Sequence, residues 1–396
     1  MNQKEVKRNL RLYFWFQVLR EPLFWGPILI LYLQNVAKMS LGGIYLMEAA
    51  AVAVMVFLDV PTGALADLIG RRKTVFWGTF LLIFDTLFFA LAESPAWAWT
   101  ADMVWAVGAA LVSGADSSLL YDTLKAGGQA HKFKLVEGRA MAARLITLAF
   151  TSLLVGYLAK INLRLPLYLS LPFLAVNAIV TYNFLEPPRG ELHYGWKKFL
   201  DTMKLSILFV ANNRKIKWII GYVVTISVVS KIWFFSYNPY FELVSLPLEY
   251  YGWLFFGMNV IAAAASFWSD RISKWLPEGL SLVLMIALLA LPIIAMASWI
   301  VMPMVMLVLL QNMVRGYLGP FISHFLHDHL SSERRATMMS IKSTACNLGQ
   351  FVFMGAFGLT LGALPLTTSM LMLGIGTLVI GFYLLATYKN VFGAGG

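Results

Sequence analysis

Charge is scarce in this chain. Only 13% of its 396 residues are Asp, Glu, Lys or Arg, about half of the ~25% usual in a soluble domain. At 59% hydrophobic residues and a mean hydropathy of +0.72, no water-facing surface can be assembled, so a soluble enzyme or binding domain is excluded. Cysteine is scarcer still: Cys346 stands alone, which rules out an intramolecular disulfide or a cysteine-rich metal site. No G-x-x-x-x-G-K-[ST], H-E-x-x-H or G-x-S-x-G string occurs, so neither an ATP-driven pump nor a membrane hydrolase is expected. A signal peptide is not expected either, because the charged N-terminal stretch runs into a full-length apolar segment without a cleavage site. No enzymatic activity, cofactor or metal is expected.

What the chain has instead is long apolar runs. Twelve segments, near 11–36, 41–62, 74–93, 96–123, 136–160, 165–186, 216–241, 247–269, 279–299, 302–328, 336–361 and 366–387, are each about long enough to span a bilayer as a helix. The net charge of +11 could point to nucleic acid, but the placement of the cations argues against it. Lys38, Lys160 and Arg164 fall on one side, and Arg20, Arg144, Lys231 and Arg315 lie within apolar segments. The remaining Lys and Arg gather on the opposite side. By the positive-inside rule both termini are cytoplasmic, and the setting expected is a cell inner (plasma) membrane crossed many times, with the lipid bilayer and no nucleic acid as partner.

One long connection interrupts the series. Residues 187–215 open with Pro187-Pro188 and then interleave Trp196, Phe199, Met203, Leu205 and Leu208 with Lys197, Lys198 and Lys204, as an amphipathic helix on the inner leaflet would. It divides the chain into an N-terminal six-helix bundle (1–186), the linker (187–215) and a C-terminal six-helix bundle (216–396). A repeat supports the division. Asp270-Arg271 lies between segments 8 and 9 as Asp67 and Arg71 lie between segments 2 and 3, and Asp328 closes segment 10 as Asp122 closes segment 4, at nearly the same separation.

The most distinctive stretch is Gly63-Ala-Leu-Ala-Asp67-Leu-Ile-Gly70-Arg71-Arg72-Lys73. Gly63 and Gly70 would let two helices turn tightly, and Asp67 lies one helical turn before Arg71. The stretch resembles the loop between helices 2 and 3 of the major facilitator superfamily, G-x-L-A-D-x-x-G-R-[RK]-x. Further stretches, Asp59-Val-Pro61-Thr62-Gly63, Ser113-Gly-Ala-Asp116 through Asp122 to Lys125, and Arg315-Gly316 through Pro320, resemble a prokaryotic branch of that superfamily whose substrates are unassigned. Segment 4 lacks the R-x-x-x-Q-G pattern of many members, and segment 5 lacks the G-x-x-x-G-P pattern of drug/proton antiporters. The resemblance implies an all-α polytopic membrane protein, two pseudo-symmetric six-helix bundles with twelve transmembrane helices, and a substrate site between the halves. It also implies that Asp67, Arg71 and Asp122, with Gly63, Gly70 and Arg72, form a cytoplasmic gating cluster beside the start of segment 11.

Charges inside the segments are the candidates for mechanism, since each costs roughly 2.5 to 3.5 kcal/mol at mid-membrane. Arg20, Glu21, Asp85, Arg144 and Arg315 come out near mid-depth, Glu48 and Lys231 in the outer half, Asp59 and Asp116 in the inner half. Arg20 and Glu21 project about 100° apart on a helix and should meet different helices. The arginines are fixed positive charges able to hold an anion. Glu21, Glu48 and Asp116 are carboxylates that could take up a proton. The cavity-lining helices of the superfamily favour Arg20, Glu21, Glu48, Asp116, Arg144, Lys231 and Arg315 as the substrate and proton site, and demote Asp85. The competing reading, that these charges pair only to fix helix packing, stays open for each singly. Trp15, Trp25, Trp233 and Tyr237 are aromatic candidates for the cavity wall. His324, His327 and Asp328 share a helix face beside His329 and read as helix-end polar groups rather than a metal site.

These features predict a monomeric secondary active transporter that moves a small amphipathic solute, anionic or zwitterionic, by alternating access, coupled to protons and favouring export. Two rivals stand beside it: a non-transporting sensor or scaffold that kept the fold, and a lipid flippase.

Overall fold

Helix ends follow local chemistry throughout. Helix α1 (Gln3–Val18) opens on a capping box, with Asn2 Oδ1 accepting from the Glu5 amide at 2.9 Å while Glu5 Oε2 accepts from the Asn2 amide at 2.8 Å. It stops at Leu19 because Arg20, Glu21 and Pro22 follow, and a proline pushes the residue before it out of the helical region. The chain resumes in a 3-10 turn (Gly26–Ile28) and a short α2 (Leu29–Asn35). This computed structural model describes residues 1–113, 115–188, 213–329 and 332–392, without the side chains at 60, 323, 324, 326–340 and 389, and among them every regular element is helical. Residues 189–212 of the amphipathic connection expected over 187–215, and the side chains of His324, His327, Asp328 and His329, fall outside what is described, while Arg214 and Lys215 open the next helix.

After α2 come α3 (Leu41–Ile69), α4 (Arg71–Ala90), α5 (Pro95–Ser113), α6 (Asp116–Ala126), α7 (Phe133–Ile161) and α8 (Leu165–Tyr182). Beyond the connection lie α9 (Arg214–Leu243), α10 (Glu249–Phe267), α11 (Ser269–Trp275), α12 (Glu278–Ser298), α13 (Leu307–His329), α14 (Ser332–Ala363) and α15 (Leu366–Phe392). Among the described residues ten stretches are long and apolar enough to cross a membrane, or eleven when α10 and α11, bent by 62°, count as one. The first apolar segment is the exception, divided between α1 and α2 by the Arg20-Glu21-Pro22 break. Among the described residues each of the twelve expected segments contains helix, the first in two pieces and the eighth bent.

The described chain forms two compact units. One comprises 1–40, 50–194 and 247–256, the other 41–49, 195–246 and 257–396, so α3 and α10 each contribute to both. In the first unit a core of Tyr13, Phe16, Val75, Leu119, Leu124 and Phe184 joins α1, α4, α6 and the end of α8. Helices α4 and α5 approach backbone to backbone: a Cβ on Gly78 would lie 2.8 Å from the Gly108 carbonyl oxygen, and one on Gly108 3.0 Å from that of Gly78. Such contacts between small residues hold helices together where lipid offers no hydrophobic drive.

The second unit uses the same device and adds aromatic girders. Gly316 of α13 sits against the backbone of Ala262 in α10, and a Cβ on Gly358 of α14 would lie 2.8 Å from the Gly42 carbonyl oxygen. Trp218 stacks on Tyr222 with ring centroids 5.3 Å apart and donates through Nε1 to the Leu384 carbonyl at 2.7 Å, tying α9 to α15. Tyr45, in the first turns of α3, donates to the Ile232 carbonyl at 2.7 Å and lies 2.6 Å from Ser236 Oγ.

Candidate functional site

In the first unit the charges come together in pairs. Arg20 leaves the end of α1 and meets Asp116, the first residue of α6, at 2.6 Å. Asp116 is buried, with its side chain 7% exposed, and its other oxygen accepts from the Ser117 amide at 2.6 Å. Glu21, the next residue, turns the other way and meets Arg144 of α7 at 3.1 Å. Two adjacent residues at the helix break therefore hold two different helices by opposite charges. The Arg20 guanidinium also lies over the Phe16 ring, 5.8 Å from its centroid.

The turn between α3 and α4 carries the second group. Arg71 forms an ion pair with Asp122 of α6, donates to the Ser118 carbonyl at 2.7 Å, and lies 4.0 Å from Asp67. Arg72 donates to the Tyr182 carbonyl at 2.7 Å and covers that residue's ring. Gly70 is the only residue between the two helices and has φ +110°, a conformation that penalises any Cβ. Gly63 behaves differently from expectation. Because α3 runs on to Ile69, Gly63 is an ordinary helical residue, and a Cβ there would meet nothing within 4 Å. Only Gly70 makes the turn.

Sequence reasoning missed Glu186. Its carboxylate accepts from the amides of Arg71 at 2.9 Å and Arg72 at 3.0 Å, filling the N-terminus of α4 where free donors and the helix dipole favour an anion. Its position just before Pro187-Pro188 was a signal that this acid sits at an abrupt end. Asp102 was missed as well. It is buried on α5, and Asp85, discounted for lying on the third segment, is buried on α4. Asp59 is within 3.5 Å of Ser113 Oγ. Beyond the helix interiors, Lys160 near the end of α7 pairs with Glu249 at the start of α10.

In the second unit Lys231 of α9 pairs with Glu48 of α3 at 2.7 Å and lies 5.1 Å from the centroid of the Phe235 ring. Glu48 is buried, with its side chain 8% exposed. Arg315 of α13 is exposed, and its guanidinium donates to Asn259 Oδ1 of α10 at 2.8 Å. No carboxylate reaches it among the described residues. Close by, Asn312 donates through Nδ2 to the Tyr237 hydroxyl at 3.2 Å. Trp233 is fully buried and Tyr237 nearly so, which makes both packing groups of α9, whereas Trp15 is exposed and Trp25 packs on Tyr32 and Phe89.

Carboxylates paired with fixed cations inside apolar helices can exchange a proton or an anion. Known proteins agree with a transport role. The chain is 22% identical to an uncharacterized MFS-type transporter, YxaM, of Bacillus subtilis (strain 168), with 89% of each chain covered. Its fold is similar to that of the nucleoside transporter NupG, at a TM-score of 0.79 and 14% identity over 98% of this chain and 100% of that one. It is also similar to a bacterial homolog of the human lysosomal transporter Spinster in an inward-facing, unoccupied conformation, at a TM-score of 0.73 and 15% identity over 98% of this chain and 97% of that one. A POT family transporter in complex with a thioalcohol-conjugated peptide matches at a TM-score of 0.74 and 12% identity, over the same 98% and 97%. Residues 23–354 match the Major Facilitator Superfamily, and the chain, a multi-pass secondary transporter of the lipid bilayer, belongs to that family.

Proposed function

We propose that this protein is a proton-coupled exporter of a small amphipathic solute bearing an anionic or zwitterionic group, working as a monomer in the cell inner membrane with both termini cytoplasmic. The observation that carries the proposal is the set of three intramembrane pairs, Arg20–Asp116, Arg144–Glu21 and Lys231–Glu48. A carboxylate that takes a proton releases its cation, and the freed cation can hold a negative substrate until the proton leaves. Asp116 and Glu48, both buried, suit this exchange best, while the half-exposed Glu21 is the site open to water. In this reading residues 1–186 and 216–396 are the rocking halves and 187–215 the tether. The cluster of Asp67, Arg71, Arg72 and Asp122 around Gly70 then locks the inner face.

Labelling tests this without a known substrate. After Cys346 is replaced, single cysteines are placed at Lys38 and at Lys125, and their rates of modification are followed in proteoliposomes between pH 8 and pH 5.5. Alternating access coupled to protons predicts opposite changes at the two positions, and Glu48→Gln or Asp116→Asn should abolish them. Rates indifferent to pH at both positions would sink proton coupling. Indifference to pH and to every solute in a screen would favour a scaffold instead. Direction follows from comparing inside-out with right-side-out vesicles once a solute responds.

A further inference from the structure

We infer that Arg315 anchors the negative group of the substrate, where α9, α10 and α13 meet, and that the substrate binds there as a monoanionic carboxylate. The inference rests on the transport reading above and adds the charge of the substrate and the residue that reads it.

Charge matching within the apolar helices singles Arg315 out. Arg20, Arg144 and Lys231 each face a carboxylate at 3.1 Å or less. Arg315 faces an amide: Asn259 Oδ1 at 2.8 Å orients the guanidinium and neutralises none of its charge. A guanidinium has five N–H donors in a planar fork, and Arg315 uses one of them on protein among the described residues. The remaining donors are set for a planar, two-oxygen acceptor, which a carboxylate supplies and a neutral amide or sugar does not.

The surroundings have the matching chemistry. Asn312 lies one turn before Arg315 on the same face of α13, is buried, and donates to the Tyr237 hydroxyl at 3.2 Å. With its oxygen already accepting, the Tyr237 hydroxyl keeps its own proton to donate. Buried amide and phenol groups thus back a cation that is itself exposed. One unmatched positive charge calls for one negative charge, because a second would return to the membrane interior the uncompensated charge that the first removed.

Thermal unfolding of the detergent-purified protein, titrated with sodium benzoate, with neutral benzamide and with sodium chloride, tests the inference, since a ligand of the folded state raises apparent stability by mass action. Benzoate should stabilise the wild type saturably and more than benzamide or chloride. Arg315→Gln should weaken the benzoate response about tenfold or more, the scale of a lost charge-assisted contact, and leave benzamide unchanged. Arg315→Lys should keep part of it. Asn259→Asp, which hands Arg315 an internal carboxylate, should lose the benzoate response while unfolding at a higher temperature than wild type. Equal responses to benzoate and benzamide in the wild type, no response to either, or an undiminished preference in Arg315→Gln would each overturn the inference. The cysteine-labelling response to pH reports separately on transport: its loss in the wild type would remove the transport reading rather than the anion site alone.

Discussion

The two units treat the cations of their helices and turns differently. Arg20, Arg71 and Arg144 in the first unit each reach a carboxylate, and so does Lys231 in the second, yet Arg315 in the second unit reaches only an amide. A matched pair can serve packing, proton exchange or both. An unmatched cation contributes nothing to packing that a neutral residue would not, so its retention points to something that arrives from outside the protein. The difference therefore separates cations matched within the protein from the one inferred above to meet a ligand.

Breaking the best-matched pair should have the largest effect. Asp116→Asn leaves Arg20 without its carboxylate in a partly buried position, and unfolding should show a loss of about 3 kcal/mol, the low end for a buried pair because Arg20 is 22% exposed. Asp116→Asn combined with Arg20→Met should recover most of it. A single variant as stable as the wild type would mean that this pair holds nothing.

Glu48→Gln turns the matched Lys231 into a second unmatched cation. It should cost about 1.5 to 3 kcal/mol and create a new response to benzoate in the thermal titration, additional to that of Arg315. If stability falls and no anion sensitivity appears, matching alone does not distinguish the two cations.

A smaller effect is expected where the two glycines of the signature loop are compared. Gly70→Ala places a Cβ at φ +110° and should destabilise by about 1 to 2 kcal/mol. Gly63→Ala, in open helix, should stabilise by about 0.5 to 1 kcal/mol. Equal effects in one melting comparison would contradict the one-residue turn. The smallest effect belongs to Lys160→Gln, which removes a solvent-facing partner of Glu249 and should leave the melting temperature unchanged within error.

Much of this was legible in the sequence because the membrane simplifies the code. Apolar length gave the helices, and the scarcity of charge made most of the Arg, Lys, Asp and Glu within apolar segments conspicuous, Asp102 excepted, including the divergence of Arg20 and Glu21 toward different helices. What was not legible depended on neutral or distant partners. Asn259 carries no charge and is one of several amides in apolar helices, so nothing marked it as the companion of Arg315. Glu186 caps α4 across more than a hundred positions of chain, a contact no local pattern encodes. Gly63 was misread for the opposite reason: a short motif placed both glycines at the turn, whereas helical hydrogen bonding carried α3 six residues further, to Ile69.

Glu186 has a mechanical consequence. Its carboxylate grips two successive amides at the start of α4, and the next two residues are the stiff Pro187-Pro188 that lead into the long connection. The carboxylate that precedes the two prolines and the two arginines that hold Asp122 and the Tyr182 carbonyl are thus joined through one stretch of backbone.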